Sequence, residues 1–268
     1  MAGEAHNQKT NPRGPDGHPE PGDGADLERE PLPSPPFQRV PERGTARRRD
    51  PLTREAIVAA ALKVLDRDGL DGFSMRRVAE ELDTGAASLY WHVGSKDGLL
   101  DLVFEEVIGE NEIPDPDPER WQEQIKEAAR ALRQTIQRHR DIVRLSIGRI
   151  PMGPNAIRVS ERTLAILRAG GVPDDLAVQS YLLLMSVVNG FTMDEGGFTE
   201  EEQGPEARPA DEVGRMVQQY FESLPPEQFP NLTEVAGSFA MSDQGARFEL
   251  LLDLFVEGLA RRASERGS

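Results

Sequence analysis

The sequence contains no cysteine, which excludes disulfides, thiolate metal sites and a cysteine nucleophile. Tryptophan and tyrosine are scarce, at two and three residues, so each one that falls inside a motif is informative. No apolar run approaches the length needed to span a bilayer, and residues 1–43 hold no apolar block of the secretory type. The expectation is a cytoplasmic protein with no membrane partner. A Gly-rich phosphate loop and the spacing of a nucleophile with its base are also missing, and carboxylates gather in loops such as Glu200-Glu201-Glu202. No catalytic residue and no cofactor is therefore expected.

Large apolar residues are nearly absent from the first stretch, which is instead rich in Pro and Gly and includes Pro31-Leu32-Pro33-Ser34-Pro35-Pro36. Such a segment cannot bury enough surface to offset the entropy of ordering it. It predicts a disordered arm over residues 1–44. The run Arg47-Arg48-Arg49 beside it either reaches a DNA minor groove and phosphates or is simply solvated.

The net charge of −16 argues against a nucleic-acid partner until it is divided along the chain. Residues 45–100 carry nine basic and nine acidic groups, whereas 101–268 carry 17 and 30. A neutral segment with its arginines on one face still binds phosphate, and an acidic remainder discourages indiscriminate sticking.

From Thr53 the apolar period is helical. Ile57, Ala60, Ala61, Val64 and Leu65 fall on one stripe, with Thr53 as N-cap and Gly69 as the stop. Ser74 caps a short helix bearing Val78, Ala79 and Leu82, Asp83-Thr84-Gly85 makes a turn, and Ala86–His92 reads as a second short helix. Two short helices joined by a tight turn form a helix-turn-helix. A fourth helix starts near Ser95, carries Leu99, Leu100, Val103, Phe104 and Val107, and fades before Ile113-Pro114-Asp115-Pro116-Asp117-Pro118. The reading places a DNA-binding domain at 45–112 and a larger helical domain at 113–268. The fold class is all-α.

In the second domain helices are expected at about 119–138, 140–148, 154–169, 174–193, 211–223 and 243–263. Gly170-Gly171, an acidic loop at 194–210 and Pro225-Pro226 break them. Two stretches are apolar beyond a single stripe: Leu176, Tyr181, Leu183, Leu184, Val187, Val188 and Phe191, and then Phe248, Leu251, Leu252, Phe255, Val256 and Leu259. That width is expected of helices that bury against a partner as well as their own domain. Leu184, Val187, Val188, Leu252, Phe255 and Leu259 are the expected homodimer interface; a large monomeric core is the alternative.

The segment from Gly69 to Leu82, followed by Ala87-Ser88-Leu89-Tyr90-Trp91-His92-Val93-Gly94-Ser95-Lys96-Asp97-Gly98-Leu99-Leu100, resembles the DNA-binding domain of the tetracycline repressor (TetR) family. Leu-Tyr-Trp-His-Val with a lysine three residues on is similar to the tetracycline repressor branch of that family. The resemblance implies a ligand-responsive transcriptional repressor that binds an inverted-repeat operator in double-stranded DNA as a homodimer. It implies that Arg76 contacts guanine or phosphate and that Ala86, Ala87 and Ser88 face bases, the alanines through thymine methyls and the serine through a hydrogen bond. Leu89 and Val93 fill the apolar positions of the short helix, leaving Tyr90, Trp91 and His92 to meet DNA. Lys96 is then a phosphate clamp at a helix N-terminus. Asp83 stands where the family turn favours glycine, and aspartate tolerates a left-handed backbone.

In the tetracycline repressor branch a histidine holds the drug as a magnesium chelate, with polar help from two earlier helices. Aligned through His139-Arg140-Asp141 and Gly148, that histidine falls on Ser146 and the polar positions on Glu112 and Ala128. No metal is therefore expected. The small-molecule effector is expected to be flat and lipophilic, in a pocket lined by some of Trp121, Leu132, Met152, Met185, Asn189 and Phe191. The alternative is a helix-turn-helix regulator that acts through protein contacts or without ligand control.

Overall fold

A computed structural model describes residues 52–139, 141–196, 210–241 and 243–267. The arm expected at 1–44, the run Arg47-Arg48-Arg49 and residues 197–209 of the acidic loop lie outside the described residues. Among the described residues every regular element is helical.

The first helix, α1 (Arg54–Gly72), begins where the Thr53 hydroxyl accepts the Ala56 N–H at 3.1 Å. It is broken at Gly69, whose φ of 69° and ψ of 175° are open to glycine alone among ordinary residues. α2 (Met75–Glu81) is capped by Ser74 and α4 (Lys96–Gly109) by Ser95, whose hydroxyl accepts the Gly98 N–H at 2.9 Å. Between them α3 (Ala86–Val93) follows a turn in which Asp83 takes a φ of 48°. Ile57, Ala61, Val64, Leu65, Val78, Leu89, Leu99 and Val103 close a small core. Helices α1 to α3, with the start of α4, form the head of the molecule.

The body comprises α5 (Trp121–Arg138), α6 (Ile142–Ser146), α7 (Pro154–Ala169), α8 (Asp174–Gly196), α9 (Ala210–Glu222), α10 (Pro230–Val235), a 3-10 turn (Ala236–Met241) and α11 (Gln244–Gly267). The core of the head continues through Val107, Ile125, Ala129 and Ile166 to Leu184, Val188, Phe248 and Leu252, so α4 belongs to both parts. Trp121 fits because Gly170 has no side chain: a Cβ there would lie 2.3 Å from the indole.

Four expectations change. Helix α8 runs through Asp194 and Glu195 into the stretch read as acidic loop, and Glu195 pairs with Arg133 of α5. The Arg133 guanidinium also lies 4.6 Å from the centroid of the Phe248 ring. Past Pro225-Pro226 the chain turns helical again, with Pro230 in the first turn of α10, where a missing N–H costs nothing. The third correction concerns the dimer residues. Leu184, Val188, Leu252 and Leu259 are buried in their own chain, at no more than 4% exposure, because α8 and α11 turn these residues toward α5 and the body core; Val187 and Phe255 are half-buried. The apolar residues that α8 leaves in the open are Val178, Leu182, Leu183 and Met193, and α11 adds Leu250 and Leu254. Against the expectation that no apolar run approaches bilayer length, the Asp174–Glu195 stretch is long and apolar enough, by length and composition alone, to cross a membrane. In the fold its other side, Ala177, Ser180, Leu184, Val188 and Thr192, is packed inside the body.

Candidate nucleic-acid interface and effector cavity

Helix α3 is anchored from beneath by Leu89 and Val93, both buried, and turns Ala87 and Ser88 outward. Tyr90 and Trp91 are 48% and 49% exposed, an unusual position for two large aromatics on a helix of eight residues. The His92 ring stands edge-on to Trp91 at 4.8 Å, and Ala86 is half-buried where α3 begins. Arg76, on the first turn of α2, has a side chain 84% exposed, with an ion pair to Glu80 one turn on. An exposed pair of this kind is worth little and is readily exchanged for a phosphate or base. Lys96 is engaged within the head, where its ammonium donates to the Phe73 carbonyl at 2.9 Å and lies 5.5 Å from the Phe73 ring centroid. It ties the start of α4 to the entrance of α2.

Where the head meets the body, polar groups form a joint. The Asp141 carboxylate accepts the Leu70 N–H at 2.7 Å, Arg144 pairs with Asp71, and Arg149 with Asp101. His139 lies between two carboxylates, Asp66 at 3.2 Å and Glu110 at 2.9 Å. The sequence reading used His139 as a point of alignment; nothing in the local sequence signals carboxylates 29 and 73 positions away.

Inside the body a cavity of about 460 Å³ lies between α4, α5, α6, α7 and α8. Leu132, Met152, Met185 and Asn189 line it, together with Phe104, Val107 and Ile108 from α4. Trp121 and Phe191, expected in the wall, lie elsewhere. Trp121 packs on Gly170, and the Phe191 ring lies tilted against Phe248, centroids 5.1 Å apart, near the far end of α8. Sequence reading missed the α4 residues because an apolar stripe that joins two domains looks the same as one that lines a hollow. A second, more polar hollow of about 370 Å³ shares Asn111, Ile113 and Val159 with the first and adds Glu112, Arg158 and Arg162.

Residues 113–263 match the family described as "Tetracyclin repressor-like, C-terminal domain", and residues 57–103 match "Bacterial regulatory proteins, tetR family". The chain belongs to the TetR family. An HTH-type transcriptional regulator of Saccharopolyspora erythraea is 41% identical over 120 residues, 45% of this chain and 51% of that protein, so the chain spans about half that relative's length. The tetracycline repressor protein class A from transposon 1721 of Escherichia coli is 30% identical over 79% of this chain and 92% of its own. Among solved structures, apo ActR from Streptomyces coelicolor superposes with a TM-score of 0.74 at 42% identity, covering 82% of this chain and all of that one. ActR in complex with actinorhodin gives 0.72 and 45%, over 79% and 96%. The relatives and the fold are those of transcriptional regulators.

The TetR residues that would hold a magnesium chelate do not fit one here. Ser146 lines the cavity but its hydroxyl donates to the Val143 carbonyl at 2.7 Å, Ala128 offers no donor atom, and Glu112 faces the neighbouring hollow. A neutral hydroxyl that is bonded within its own helix does not replace an imidazole at a hard cation, and a methyl replaces no polar group.

Proposed function

We propose that this TetR-family chain is a homodimeric repressor of the bacterial cytoplasm, bound to an inverted-repeat operator through α2 and α3 and released when a small lipophilic effector enters the body cavity. The observation that carries the reading is the double membership of α4. Its first turn holds Lys96 against the head, and its last turns supply Phe104, Val107 and Ile108 to the cavity wall. A ligand that pushes this wall tilts the helix that sets the head. Operator half-sites are about 34–36 Å apart, so a small tilt in two heads loses contacts on both sides. ActR, similar in fold, has been solved with actinorhodin and with (S)-DNPA, which supports a cavity that accepts organic molecules.

Arg76, Ala86, Ala87, Ser88, Tyr90, Trp91 and His92 are the DNA-facing residues of this reading, with Lys96 as a phosphate contact. The dimer is assigned to the open stripe Val178, Leu182, Leu183 and Met193 with Leu250 and Leu254, which answers the exposure of so many apolar side chains. The test is to select DNA from a random pool with the full chain, then follow binding of the winning duplex by fluorescence anisotropy against salt. Enrichment of an inverted repeat and a steep fall of affinity with salt are expected. Selection of no common sequence, or an affinity indifferent to salt, would overturn the reading in favour of a protein-contacting regulator.

A further inference from the structure

Resting on the reading of the cavity as an effector site, we propose that its occupant is a hydrogen-bond donor: a planar apolar molecule with a hydroxyl or N–H group that binds the Oδ1 atom of Asn111. Asn111 follows the end of α4, is 5% exposed, and belongs to the wall between the apolar cavity and the polar hollow. Its Nδ2 donates to the Ile108 carbonyl at 3.0 Å. That bond decides which end of the amide is oxygen, because the reversed amide would set two oxygens against each other. Oδ1 is then the free end, buried and without a hydrogen-bond partner among the described residues. A buried acceptor left unpaired costs free energy, so native proteins rarely keep one without a use for it.

Five of the six hydroxyls in the wall point to the same chemistry. Ser146 donates to the Val143 carbonyl, Thr163 to that of Val159 at 2.8 Å, and Ser186 to that of Leu182 at 3.0 Å. Ser160 donates to the Ala156 carbonyl at 2.7 Å, so the Tyr181 hydroxyl, 2.6 Å away, is the donor in its contact with Ser160. Each of these groups has one proton and has already committed it inside the protein. What they have left to offer a ligand is lone pairs. Arg149, the cationic residue in the wall, is engaged by Asp97 and Asp101. Thr135, whose hydroxyl accepts from Arg138 at 3.0 Å, and Asn189 are the groups in the wall that can offer either polarity. A ligand whose polar atoms are ketones or ethers finds few donors here, whereas phenolic or amino groups find acceptors waiting.

The experiment compares two planar probes on the full-length chain by calorimetry: a dihydroxyanthraquinone with hydroxyls on the outer carbons, away from the ring carbonyls, and its di-O-methyl ether. The wild type is expected to bind the dihydroxy compound about tenfold more tightly, the scale of one hydrogen bond. Asn111→Leu should abolish that preference, and Met185→Trp, which fills the cavity, should abolish binding of both. Equal affinity of the wild type for the two probes, or a preference that survives in Asn111→Leu, would overturn the donor assignment while leaving the cavity reading intact. If the wild type binds neither probe, or if Met185→Trp leaves both affinities unchanged, the cavity reading fails and takes this proposal with it. The comparison on wild type needs no variant, so a poorly folded Asn111→Leu does not spare the assignment.

Discussion

The Glu105 carboxylate, midway along α4, accepts the backbone N–H of Asn155 and closes the N-terminus of α7. The Ala156 N–H adds a second bond at 3.4 Å, and the Asn155 side chain returns one to the Glu105 carbonyl at 3.2 Å. The N-cap of α7 is Gly153, which has no side chain to accept these amides itself. A residue of one helix thus caps another, with the cavity between them. Removing it in Glu105→Ala should cost about 0.5–2 kcal/mol, the usual value of an N-cap, measured by urea unfolding. A loss-free substitution would show that the contact contributes nothing.

Burial raises the pKa of Glu105 above the ordinary glutamate value, against the two backbone N–H groups and Arg158, which lower it. The folded protein therefore holds this proton more tightly than the unfolded chain. Stability from this group is greatest below the unfolded pKa and declines as pH rises through the folded one. Glu105→Gln should flatten that decline in a series of melts taken upward from about pH 4. An identical slope in wild type and variant would refute the assignment.

Arg76→Ala and Ser88→Ala should each weaken binding to the selected operator by about 1–3 kcal/mol and relax its sequence preference. Lys96→Ala should act on two fronts, weakening all duplexes similarly and lowering the stability of the head by about 1 kcal/mol through the lost bond to Phe73. Anisotropy with matched and scrambled duplexes, beside thermal melts, separates the two effects.

Leu182→Glu or Leu254→Glu should give a folded monomer that binds operator poorly, because both side chains are more than half exposed. Leu184→Ala, at 1% exposure, should instead cost about 2–5 kcal/mol of stability. Sedimentation distinguishes them. A dimer that persists in Leu182→Glu and in Leu254→Glu would place the interface elsewhere.

Asp83 holds a φ of 48° in the turn between α2 and α3. Asp83→Gly should leave the melting temperature unchanged or raise it, while Asp83→Val should destabilise by about 1–2 kcal/mol, since a β-branched side chain resists that backbone. Equal melts for both variants would mean that the turn readily adopts another form.

The head was legible because its signals are local. Thr53, Ser74 and Ser95 announce three helix starts, and each hydroxyl makes the bond expected of it. The body was legible only as a set of helices. Leu182, Leu183 and Leu184 are consecutive and equally apolar, and only the packing of α8 against its neighbours decides that the third goes inside. Asn111 stood beside a proline-rich stretch with nothing to mark it. Its importance comes from a wall built by α5, α7 and α8, which no sequence window contains.

The break in α1 at Gly69 has a consequence for genetics. Because the helix ladder stops there, the next amide, that of Leu70, is free to be held by Asp141 from the body. The link between reading head and regulatory body at this point is made from main chain on one side and side chain on the other. An alanine scan across the head would walk over position 70 and register nothing of it, because alanine keeps the same N–H. The same scan across the body would strike it at once, at Asp141. Mutations that uncouple the two parts here should therefore map to the body even though what they change is the response of the head.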